Sequence, residues 1–326
     1  MTGQAARYAE IRAEFASFYS KIEPHSIPAQ VHDLAWAHLS CVAANRIAFA
    51  AQRTRQPSVF LNPLFQDYLW TAPLNHQFLA MTRLLDSADD VIALPRLLRR
   101  LCAAQASMTR EAYVTSGGIP YDTDAAAAAI FAAGHRGLKN YDGSWFFFDD
   151  PTEISLPDPR ASQQRHRRFD VWSARAVDER QPGDLIRPKV FAVLHREIQH
   201  LRKSDTKLAR DKFIAHAADS GSRSPDSQKR PGPRTGEISL RDLRKDIGPI
   251  FALARIFGEL LLENDYSGPL GAMPEPEHFS HCLVAAPMSE NEAARIGRLP
   301  SAMSKIFRGM ETHDKLRIEQ QFSEPH

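Results

Sequence analysis

The chain has 326 residues, 43% of them hydrophobic and 25% charged, with a formal net charge of +2. That length allows one elaborated domain or two, and the apolar fraction is enough for a sizeable core. The near-neutral balance excludes a global field that would draw the chain to nucleic acid or to a membrane surface. Arginine far outnumbers lysine, which matters locally because a guanidinium grips phosphate or carboxylate with two prongs.

Residues 5–23 carry Tyr8, Ile11, Phe15, Phe18 and Ile22 at helical spacing. Pro28 opens a second helix, expected to run to about Ala51 with Val31, Leu34, Ala35, Val42 and Phe49 on its apolar face. A third is expected over Leu64–Leu85, with Pro73 kinking or splitting it. A fourth follows over Val91–Ala106, through Leu94, Leu97, Leu98 and Leu101.

Residues 110–184 read as an insertion, only partly regular. They mix an alanine helix, the aromatic run Trp145–Phe148 and the breaker-rich Leu156-Pro157-Asp158-Pro159. Periodicity returns after Pro188, with Val190, Leu194, Ile198, Leu201 and Leu208 on one face and a break near Ser204-Asp205. Residues 219–237 are rich in Ser, Pro, Gly, Arg and Lys and read as an exposed, mobile basic loop. Leu240, Leu243, Ile247, Ile250, Ala254, Phe257 and Leu261 then form the clearest stripe, with Ser239 and Asp242 as a start signal.

These elements imply an all-α bundle over 28–264, with a helical extension over 1–27 and a C-terminal helical appendage over 265–326. The stripes at 190–208 and 240–261 are expected to pack as antiparallel neighbours.

No apolar run reaches the length of a membrane span, and no secretory signal core follows Met1. The expectation is a soluble cytoplasmic protein with no membrane partner. Cys41, Cys102 and Cys282 are odd in number and lack ligand spacing, so they read as buried thiols. His195, Glu197 and His200 have the wrong spacing for a zinc pair, and His278, His281 and Cys282 form only a loose cluster. No metal and no cofactor is expected.

Chemistry concentrates in Ala209–Ala217. Arg210 and His216 suit metal-free RNA cleavage. Imidazole exchanges protons near neutrality, and a guanidinium neutralises charge building on the attacked phosphate. Arg160 with His166 and Arg308 with His313 show similar spacing. Only Arg210 and His216 end a long amphipathic stretch and precede a basic loop. Six residues of ideal helix turn about 600°, leaving the two side chains about 120° apart. The helix must therefore unwind before His216, or two copies of the motif must meet across a two-fold axis. The same residues also read blandly: Lys203, Lys207, Arg210 and Lys212 as a solvated face, and His216 as a cation near a helix C-terminus.

The stretch Ala209-Arg210-Asp211-Lys212-Phe213-Ile214-Ala215-His216-Ala217 resembles the signature of the HEPN superfamily. Phe78–Asp86 and His166-Arg167-Arg168-Phe169-Asp170 resemble elements of its abortive-infection AbiU-like branch. The resemblance spans about residues 28–264. It implies a helical bundle, a homodimer and, in many members, RNA cleavage, in phage defence or as a toxin with an antitoxin or defence-system partner. Under it, Arg210 stabilises phosphate charge, His216 is the acid or base and Asp211 orients one of them. From their charge alone, Lys212, Lys207, Arg223, Lys229 and Arg230 are the residues expected to follow an RNA backbone, with solvation of the basic loop as the default reading. The alternative is a non-catalytic helical module for dimerisation or nucleic-acid binding.

Overall fold

The computed structural model describes residues 3–19, 23–54, 62–132, 138–139, 145–146, 154–155, 159–204, 240–262 and 289–324. The fold is all-α, as the periodicities predict. Its helices are α1 (Gly3–Ala16), α2 (Ile27–Thr54), α3 (Pro63–Leu84), α4 (Leu94–Ala103), α5 (Arg110–Thr115) and α6 (Thr123–Ala132). They continue with α7 (Pro159–Ser173), α8 (Pro188–Leu201), α9 (Leu240–Leu262), α10 (Glu290–Gly297) and α11 (Leu299–Ser323). Between α6 and α7 the described residues include three two-residue strands, Leu138–Lys139, Trp145–Phe146 and Ile154–Ser155, with the first in the middle.

Among the described residues the stripes read from the sequence face one shared core, while Ile22 and Leu208 lie outside those residues. Val31, Leu34 and Ala35 of α2 share that core with Phe78, Met81 and Leu84 of α3, and among the described residues α2 packs most extensively against α3. Pro73 does not split α3, whose N-terminus is capped by Asn62. One missing amide donor is offset by the burial of the hydrophobic face that follows. Phe49 is the exception on α2. It is 56% exposed rather than buried, with the Arg53 guanidinium 4.8 Å from its ring.

The fold joins the outer segments to the bundle. Tyr8 and Phe15 of α1 share the core with Ile296 of α10 and with Leu299, Met303, Phe307, Ile318 and Phe322 of α11. Helix α9 touches α8, but its main neighbour is α11. At Gly248 a Cβ would meet the Asp314 carboxylate of α11, which would have to shift. Arg317 of α11 grips Glu197 of α8 through two bonds of 3.1 and 2.9 Å, and Arg187 donates to the Phe322 carbonyl.

The last turn of α9 shows how the N-terminal half holds the rest. A helix end leaves its final carbonyls without intrahelical donors. Here Tyr113 Oη donates to the Glu259 carbonyl at 2.9 Å and Tyr8 Oη to that of Leu260 at 2.8 Å. Arg12 Nε donates to the Leu261 carbonyl at 2.6 Å. Burial drives both phenols well above the usual tyrosine range, so they remain neutral donors.

The stretch read as an insertion contributes to the same core through Tyr113, Phe169 and Trp172. Of the thiols, Cys41 is buried but Cys102 is exposed, at the flank of the leucine stripe in the last turn of α4.

Candidate functional site

The residues on which the RNA reading rests lie outside the described residues. Lys207, Arg210, Asp211, Lys212, His216, Arg223, Lys229 and Arg230 all fall within 205–239, and His278, His281 and Cys282 within 263–288. The chain enters the first of these segments from Ser204, just past α8, and resumes as α9 at Leu240.

Beside that departure point is a cleft of about 320 Å³ lined by Asp89, Arg96, Arg99 and Arg100. Its origin is the helical period of α4. Leu94, Leu97, Leu98 and Leu101 take the buried face, so the arginines at three-to-four spacing fall together on the other. Arg202, two residues before Ser204, donates from Nη2 to Ser87 Oγ at 3.2 Å, and Arg99 donates to the Ser87 carbonyl at 2.9 Å. The turn before α4 therefore ties the cleft to the end of α8.

The electrostatics are positive but partly compensated. Arg99 pairs with Asp89 at 2.5 Å and Arg100 with Glu14 at 2.9 Å. Both pairs are solvent-facing and are worth at most about 1 kcal/mol each, so a phosphate can displace them. Arg96 donates to the Val91 carbonyl at 3.2 Å and lies 5.0 Å from the Phe18 ring. It has no carboxylate partner among the described residues. The cleft thus offers guanidinium groups for an anion and no imidazole.

A second polar cluster carries no signature in the sequence. The Arg110 side chain is fully buried and spends its donors on four groups. Nε meets Asp184 Oδ2 at 2.9 Å, Nη1 meets Asp170 Oδ1 at 2.7 Å and the His166 carbonyl at 3.3 Å, and Nη2 meets Ser173 Oγ at 3.0 Å. Arg180 adds a 2.5 Å bond to Asp170 Oδ2. Burial pushes the Asp170 carboxyl up, but hydrogen bonds from Arg180 and Arg110 outweigh it and hold the group below its ordinary value. This satisfied arrangement braces α5 against α7. The His166–Asp170 stretch singled out in the sequence therefore supplies packing and ion pairs, with Phe169 in the core and Asp170 on Arg110.

On α7, Arg160 is exposed whereas His166 is buried and bonded through Nε2 to the Tyr121 carbonyl at 3.1 Å. His313 on α11 is 79% exposed and sits beside Asp314. Glu197, between His195 and His200, is held by Arg317, and no group of three potential metal ligands occurs among the described residues. No helix among them is long and apolar enough to cross a membrane. No family model, no curated protein and no solved structure matches this chain.

Proposed function

We propose that the chain is a metal-independent endoribonuclease of the HEPN type, acting as a homodimer in phage defence or as a toxin. The reading is carried by the sequence Arg210-Asp211-Lys212-Phe213-Ile214-Ala215-His216, entered from a helix end beside an arginine-lined cleft. Arg210 follows Ser204 by six residues, so even a fully extended chain carries it no more than about 20 Å from that point. The cleft arginines then hold the RNA backbone on either side of the cut.

In the reaction, a base takes the proton of the ribose 2′-hydroxyl, and its oxygen attacks the adjacent phosphorus. The bond to the 5′-oxygen breaks as an acid protonates that oxygen, leaving a 2′,3′-cyclic phosphate and a 5′-hydroxyl. His216 serves as base or acid, and the second copy of the motif supplies the complementary group. Arg210 neutralises the oxygens of the pentacoordinate phosphorus, and Asp211 orients one of the pair.

Arg210→Ala should lower the cleavage of pooled RNA by about a hundredfold or more, since one preorganised charge donor is removed. Arg160→Ala and His313→Ala break similar spacings and should cut like wild type. Equal loss in the controls would refute the assignment. The cleft favours one other reading, because it offers phosphate contacts without an acid–base group. A chain that binds RNA and never cuts it would be a non-catalytic binding module.

A further inference from the structure

A second cavity, of about 330 Å³, opens between α2 and α10. It is lined by Asn45, Arg46, Phe49, Ala50, Arg53, Glu292, Arg295 and Ile296. On α2, Arg46, Phe49 and Arg53 recur at three-to-four spacing, and on α10 Glu292 and Arg295 do the same, so two helix faces converge on one groove. Phe49 is 56% exposed, so burial in the core does not account for an aromatic there. Arg53 lies over its ring at 4.8 Å and stands 3.8 Å from Glu292. Arg46 and Arg295 are exposed and have neither a hydrogen-bond nor a carboxylate partner among the described residues. Three guanidinium groups face one carboxylate, so the groove is positive.

We infer that this groove binds a nucleotide, its base stacked on the Phe49–Arg53 pair and its phosphate held by Arg46 and Arg295. An anion alone would not call for the exposed ring, and an apolar ligand would not call for unpaired arginines. A planar base carrying a phosphate meets both demands. Bases stack on aromatic rings and on guanidinium planes alike. Asn45 lies at the rim with an amide able to donate to and accept from a base edge. Pockets of about 300–1,000 Å³ hold ligands of this size class. The groove is built from α2 and α10 and shares no lining residue with the α4 cleft. The inference deepens the proposed RNA function and rests on its choice of nucleic acid, but not on cleavage.

The nucleotide can be free or one residue of a strand, and two probes separate these sources. The full chain is titrated with adenosine monophosphate by calorimetry. It is also titrated with fluorescein-labelled 2′-O-methyl octaadenylate by anisotropy, a strand that cannot be cut because its attacking hydroxyl is blocked. Phe49→Ala should weaken binding by about five- to a hundredfold, the range for losing one stacked base. Arg46→Gln with Arg295→Gln should reduce the slope of log affinity against log salt by about 0.7 for each phosphate no longer neutralised. Tighter binding of the strand identifies RNA, and equal binding of the mononucleotide identifies a free ligand. Wild type binding neither probe, or both variants binding like wild type with unchanged circular dichroism, overturns the site. RNA cleavage by a Phe49→Ala variant that also binds normally would overturn it alone. Phe49-dependent binding without cleavage would overturn only the enzyme.

Discussion

Arg110 is enclosed with two carboxylates, Asp170 at 2.7 Å and Asp184 at 2.9 Å. Arg110→Met would take the nearer arginine from the buried Asp184, leaving it only Arg175 at 3.6 Å, and would leave Asp170 to Arg180 alone. Breaking a buried pair in this way typically costs about 3–5 kcal/mol, and urea denaturation should show that loss. A change under about 1 kcal/mol would contradict the buried network. No pattern in the sequence announces Arg110, because its partners are 60 and 74 residues away and ion pairs have no period. Asp170 lies in a stretch that stands out in the sequence, but its role is not readable there.

His38 makes a pH-dependent prediction at the same scale. Its Nδ1 donates to Gln77 Oε1 at 2.9 Å, and its Nε2 accepts from Arg244 Nε at 3.2 Å. Burial first, and the Arg244 charge in addition, outweigh the opposing Gln77 bond and push the imidazole down to about 4. Between that value and the unfolded value of about 6.5, the unfolded chain holds a proton that the native one lacks. Stability attributable to His38 is therefore present above pH 6.5 and lost as pH falls toward 4. Between pH 6.5 and 4.5 wild type should lose about 2–3 kcal/mol that a His38→Gln variant does not lose. Parallel pH profiles for the two proteins would contradict the assignment.

At the scale of elements, periodicity is a sound guide wherever a helix buries one face. The stripes of α2, α3, α4, α8 and α9 are buried as their spacing requires. Phe49 departs from its stripe because spacing says which residues share a face but not how far along the helix a neighbour covers it. Pro73 leaves α3 whole because a proline weakens a helix locally, while long-range burial decides whether the helix continues. The side-chain capping at the end of α9 is not legible in sequence either, since Tyr8 and Tyr113 are 252 and 146 residues away from the carbonyls they meet. Tyr8→Phe keeps the ring and leaves a buried carbonyl without its donor. It should cost about 1–3 kcal/mol in chemical denaturation. No measurable loss would mean that the α9 terminus is satisfied in another way.

At the scale of the whole molecule, one hydrophobic cluster runs from Tyr8 to Phe322. Described helices on either side of the boundaries expected at 27 and 265 contribute residues to that cluster. The α4 arginines and the α2–α10 groove are each readable as helix faces. Their convergence with other elements is not, because it depends on tertiary contacts. The candidate catalytic pair remains a feature of sequence, carried by Arg210 and His216.

The most direct test of the account is end-group analysis of RNA incubated with the full chain in a chelator, comparing wild type with His216→Ala. Wild type should generate 2′,3′-cyclic phosphate ends without added metal. The variant should generate none above background while keeping its helical circular dichroism. Cleavage that survives in His216→Ala, or that appears only when a divalent metal is restored, would contradict the metal-independent mechanism and the role given to His216.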